Sequence, residues 1–226
     1  SAFFMMICAA LVFFMTPGLA FFYGGLVRRK NVCNTIMACV AIMGLSVVMW
    51  TLFGYSLSFG GNHAGIIGDF RWFGLNGVGM EAGPYADSIP HLVFCAFQMM
   101  FAMITPALIT GSLVGRMKFK ALFLFVAIWS VIVYYPMTHM VWGDGGFLAA
   151  IGSVDFAGGD VVHISSGISA LVLAIILGRR RGYEHTTYRI HNIPSVVLGA
   201  SLLWFGWFGF NAGSALKADG LAAHAF

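Results

Sequence analysis

The stretch Asp155-Phe156-Ala157-Gly158-Gly159-Asp160-Val161-Val162-His163 sets two carboxylates and a histidine at the head of an apolar run that continues to Gly178. Placing an ionised group at the centre of a hydrocarbon layer costs roughly 3 kcal/mol or more, so ionisable residues in such a run point to a functional site. Asp155 lies a few residues before the run. Its carboxylate suits the backbone N–H groups of the turn Ala157-Gly158-Gly159, a capping role that also adds negative potential there. Asp160 reads as a first-turn charge complementing a helix N-terminus. Two readings fit His163. One is a core histidine held by a backbone carbonyl; the other is a pore group whose neutral imidazole offers one donor and one acceptor to an uncharged solute, or relays a proton.

Aromatic residues form a second constellation. Phe94, Phe97, Phe101 and Thr105 recur at helical spacing and share one face, and so do Trp207, Phe210 and Ser214. Tyr134, Tyr135, His139 and Trp142 end another apolar run. Each group alone suits packing or a membrane-interface belt. If they converge, they suit a small cation: aromatic faces attract one by ~0.5–2 kcal/mol each, and a serine hydroxyl can accept a hydrogen bond that ammonium gives and an alkali ion does not.

These residues need helices to position them, and the composition says which kind. Hydrophobic residues make up 60% of the 226 and charged ones only 9%, against roughly a quarter charged in soluble domains. Six runs approach the ~20 apolar residues that span a bilayer: Ala2–Val27, Val32–Phe59, Ile89–Gly115, Ala121–Trp142, Val161–Gly178 and Ile193–Leu216. None alternates like a barrel strand, so the fold class is an all-α polytopic membrane bundle. Loops one, three and five hold Arg28, Arg29, Lys30, Arg116, Lys118, Lys120, Arg179, Arg180, Arg181 and Arg189, ten of the twelve basic residues, with Glu184 as their acidic companion. The remaining acids lie in the even loops. The positive-inside rule then puts the N-terminus outside and leaves no basic surface for nucleic acid.

Residues 60–88 form the longest loop, an expected cap over the outer mouth. Cys8, Cys33, Cys39 and Cys95 read as packing residues, with no metal or disulfide pattern. Gly111-x-x-x-Gly115 and the Ser165–Ala170 cluster read as close helix contacts. The chain stops where another apolar run, Leu221–Phe226, begins, and reads as a fragment. No HExxH-type motif supports an intramembrane hydrolase, so an enzyme is not expected.

Several long motifs resemble the Amt/Mep/Rh ammonium transporter family in its bacterial-type Amt branch, from end to end of the chain. They are Met15-Thr16-Pro17-Gly18 with Phe22-Tyr23-Gly24-Gly25-Leu26 and Lys30-Asn31, then His139-Met140-Val141-Trp142-Gly143. Asp155–His163 and Gly206-Trp207-Phe208-Gly209-Phe210-Asn211-Ala212-Gly213-Ser214 follow. The resemblance implies that Phe101, Trp142 and Ser214, with Phe97 beside them, recruit ammonium outside. It implies that Phe101 and Phe210 form a stacked gate, that His163 is the first of two pore histidines, and that Asp155 is structural at the vestibule. It further implies a homotrimer in the plasma (inner) membrane, no cofactor or metal, and a PII-type signalling partner at the cytoplasmic face. Members have eleven spans in two inverted five-helix repeats plus a last helix. This chain covers the first repeat, about 2–180, and the opening helix of the second, about 193–216. Asp160 departs from the family, where an uncharged residue such as Thr is common. The competing reading is an ammonium-sensing receptor domain of the same fold, coupled to a cytoplasmic signalling module.

Overall fold

The computed structural model describes residues 1–180, 182–185 and 187–226; Arg181, one of the basic residues of loop five, lies outside the described residues. Six long apolar helices dominate: α1 (Ala2–Leu26), α2 (Arg29–Phe59), α3 (His91–Leu113), α4 (119–142), α5 (Gly159–Leu177) and α6 (Ile193–Gly213). Their ends fall within a few residues of the runs read in the sequence, and the fold is the expected all-α bundle. Three helices contain a widened π-helical turn, at Trp50–Gly54, Ser130–Tyr134 and Gly159–Ile164.

α3 is the centre: 72% of its most apolar stretch is buried, against 17% for α5 and 22% for α6. The outer faces of α5 and α6 carry Ile168, Leu171, Ile175, Trp204 and Phe205 exposed, an apolar exterior suited to a bilayer or to further helices. α6 runs antiparallel along α1, and glycine permits their approach. A Cβ on Gly18 would sit 2.9 Å from the Leu202 Cβ, and one on Gly199 would sit 2.5 Å from the Gly18 carbonyl oxygen and 2.7 Å from the Phe22 Cα. Because the obstacle is backbone, a side chain there forces the helices apart. We expect Gly199→Leu to destabilise the bundle by about 2–3 kcal/mol, read as a lowered melting temperature in detergent; an unchanged melting temperature would contradict this packing.

Gly111 does face a neighbour, the Tyr23 phenol. Gly115 is no helix contact: α3 ends at Leu113, and Gly115 lies beyond it at φ +72° in a turn, beside the Asn31 side chain. The expected Gly111–Gly115 contact pair is therefore corrected to one packing glycine and one turn glycine.

Loops alternate between the two ends, as the charge pattern requires. At one end Arg116 Nη1 donates to the Gly178 carbonyl at 2.8 Å, joining loops three and five, and the His191 and Asn192 N–H groups donate to the Gly25 carbonyl, joining loop five to the last turn of α1. At the other end Asn62 donates to Gly145 and Ser88 to Leu216, joining loop two with loops four and six. Loop two is an ordered cap, as expected, and includes a small hairpin, β1 (Ala82–Gly83) with β2 (Ala86–Pro90). Asp69 organises the cap. It accepts from the Gly61 and Arg71 N–H groups and from the Arg71 guanidinium. Partial burial raises its carboxyl, but these donors outweigh that and hold it below the usual carboxylate range.

Candidate functional site: an outer cavity, a phenyl pair and an inner groove

The outer ends of α3, α4 and α6, with the loop before α5, enclose a cavity of about 300 Å³. Phe101, Trp142, Asp155 and Ser214 all line it, together with Phe59, Tyr85, Phe94, Gln98, Phe156 and Leu216. Four groups read separately in the sequence thus converge. Trp142 is the last residue of α4 and stands edge-on to Phe101, with centroids 5.9 Å apart at 90°. Its indole N–H donates to the Asp155 carbonyl at 2.8 Å, fixing the ring against the loop.

Asp155 caps α5, and its donors differ from those expected. Oδ1 accepts from Gly158 (2.5 Å) and Gly159 (2.8 Å); Oδ2 accepts from Asp160 (2.8 Å) and Val161 (3.0 Å). Ala157 takes no part, and the cap reaches two residues further into the helix. Gly158 sits at φ +104°, a region a side chain strains to occupy, which lets the chain fold back under the carboxylate. With four N–H groups on its oxygens, Asp155 holds the turn. Asp160 accepts from the Ser153 hydroxyl at 2.7 Å and does not line the cavity.

Ser214 donates its hydroxyl proton to the Phe210 carbonyl at 2.8 Å. With that proton committed, the oxygen presents only lone pairs to an incoming N–H donor. Tyr85 donates to the Phe59 carbonyl at 2.8 Å, and burial pushes its phenol up, so it remains a neutral group.

The floor is aromatic. Phe101 and Phe210 lie 4.4 Å apart at 36°. Beyond Phe210 comes His163, 6.0 Å from it and stacked on Trp207 at 5.6 Å and 7°. His163 lines a second space of about 560 Å³ with Tyr23, Ser166 and Gly167, which reaches Arg180 and Tyr188 at the basic end. Cavity, phenyl pair and histidine groove follow one another from the acidic end to the basic end.

A sequence profile described as the Ammonium Transporter Family matches residues 3–226. The chain belongs to that family. It is 51% identical over 223 residues to an ammonium transporter of Bacillus subtilis, covering 99% of this chain and 54% of that relative. An ammonium transporter of Aquifex aeolicus is 50% identical, over 98% of this chain and 51% of its own. Among solved structures, Saccharomyces cerevisiae Mep2 superposes with a TM-score of 0.88 at 36% identity, over 98% of this chain and 51% of that one. A structure named Sensor Amt Protein gives 0.87 at 31%, over 98% and 56%. The chain thus spans about half the length of the curated relatives it matches. Membership in the family makes it a multi-pass membrane protein of a transporter rather than an enzyme family, in keeping with the six apolar helices.

Within this family member, Phe97 is the residue whose placement departs from the reading. It is buried behind Phe101, edge-on at 5.0 Å and packed on Gly213, and does not line the cavity. Its neighbour Gln98 does. Phe94, Gln98 and Phe101 follow the i, i+4, i+7 spacing of one helical face, the signal that would have singled out a polar residue in an apolar span.

Proposed function

We propose that this chain builds the recruitment site and one wall of a path that takes up ammonium and passes it as ammonia. One observation carries the reading: Phe101, Trp142, Asp155 and Ser214 share a cavity floored by the Phe101–Phe210 pair, with His163 directly beyond it. Ammonium rests against the Trp142 and Phe101 rings and donates one N–H to Ser214 Oγ. Asp155 keeps the α5 turn and Trp142 in place. The two close-set rings leave no room for a hydrated cation, so the proton is lost at the gate and crosses by a separate relay. Ammonia then moves along the groove, exchanging hydrogen bonds with the His163 imidazole.

The chain in this proposal comprises one five-helix repeat, about 2–180, and the first helix of a second, about 193–216. The protein assembles as a homotrimer in the plasma membrane and offers its basic loop face to a PII-type signalling protein. The natural full-length protein in liposomes on a solid-supported membrane should give a saturable current after an ammonium jump and none after a sodium jump. Binding without current or ammonia flux would overturn the transport reading. That outcome would select the second reading, an ammonium-sensing domain coupled to a cytoplasmic module, which the likeness to the structure named Sensor Amt Protein favours.

A further inference from the structure

The polar groups on the outer cavity are accounted for with one exception. The Trp142 N–H goes to the Asp155 carbonyl, the Asp155 oxygens take four backbone N–H groups, the Tyr85 hydroxyl goes to Phe59, and the Ser214 proton goes to Phe210. Gln98 is 8% exposed, its Oε1 is enclosed, and its side chain makes no hydrogen bond among the described residues. Buried polar groups are otherwise almost always paired. A carboxamide left open in the wall of a cavity marks the place of a hydrogen-bonding occupant.

We infer that Gln98 is a specificity-determining residue, its amide carbonyl being the second directional acceptor for the cation beside Ser214 Oγ; this rests on the recruitment role proposed above. The last torsion of a glutamine side chain is broad and two-fold. With neither end of the amide held by protein, a half-turn about it exchanges the enclosed oxygen with the amide nitrogen and brings the oxygen to the cavity. Two acceptors within an aromatic cage match a tetrahedral ion with four N–H donors. An alkali ion seeks more oxygen ligands than this site has. Methylammonium has one N–H fewer and a methyl group to place.

The test is Gln98→Met, which keeps the length of the side chain and removes the amide, in the natural full-length protein reconstituted in liposomes. The KM for ammonium should rise about tenfold, which corresponds to about 1.4 kcal/mol. The KM for methylammonium should change far less, because a thioether accommodates the methyl, so the preference between the two falls. Gln98→Glu, which restores an acceptor, should return the ammonium KM close to wild type. A merely structural role would move both substrates together, or lower the rate with both KM values unchanged; either pattern overturns the inference and leaves the transport reading standing. A wild type without any saturable ammonium response sinks both. If Gln98→Met fails to insert, Gln98→Glu decides: a glutamate that weakens ammonium binding overturns the acceptor role.

Discussion

His163→Ala is expected to lower ammonium flux by about 100-fold, the upper end of what one unmade hydrogen bond costs in a dry passage, while leaving occupancy of the outer cavity almost unchanged. The two effects separate because the structure separates the places. His163 does not line the outer cavity; Phe210 stands between, touching Phe101 on one side and lying 6.0 Å from the imidazole on the other. Removing the ring takes away the imidazole donor and acceptor that His163 presents to the groove. A polar solute loses its partner in a dry passage, where an unmade hydrogen bond costs about 1–3 kcal/mol. Flux measured as current or pH change, alongside ammonium binding to the purified protein, checks both halves. Unchanged flux would mean that the groove is not the path.

The second large effect is on Asp155→Asn, an exchange that looks mild and is not. Each carboxylate oxygen accepts two backbone N–H groups, Gly158 and Gly159 on one and Asp160 and Val161 on the other. Asparagine keeps one oxygen and turns an NH2 group toward the other pair of donors. Hydrogen bonds to a charged acceptor contribute roughly 1.5–3 kcal/mol each. With two lost and a donor clash added, we expect a cost of about 3 kcal/mol and a melting temperature lowered by several degrees. The Asp155 carbonyl also anchors the Trp142 indole, so ammonium binding should weaken as well. A stable variant with weakened binding would instead make the charge itself the recruiting element.

The spans, their alternation and the Asp155 cap were legible because single-residue chemistry sets them: long uncharged runs, basic loops on one side, and an acid ahead of two glycines. Convergence of Phe101, Trp142 and Ser214 was legible only through the resemblance, since they come from three helices far apart in the chain. Phe97 stands behind the cavity, against Phe101, and not in its wall for a geometric reason. Spacings of three and four both follow one helical face, so Phe94 and Phe101 leave Phe97 and Gln98 as equal candidates until a neighbouring helix chooses; here Gly213 receives the Phe97 ring. Gly115 was misjudged because a run of apolar residues does not announce where its helix stops. The cap's hairpin and the widened turns depend on neighbours and had no local signature.

Those widened turns bear on how the chain can change length. A π turn closes its ring over one residue more than an α turn, so Gly159–Ile164 holds one residue that an ordinary helix start would not need. Deleting a single residue there restores an ordinary α turn and leaves the two flanks at nearly the same heading, whereas the same deletion in a regular α turn rotates one flank by about 100° relative to the other. The same holds for Trp50–Gly54 and Ser130–Tyr134. Loss of one residue at any of these three places should be tolerated by the bundle, with the direction of the flanking side chains kept.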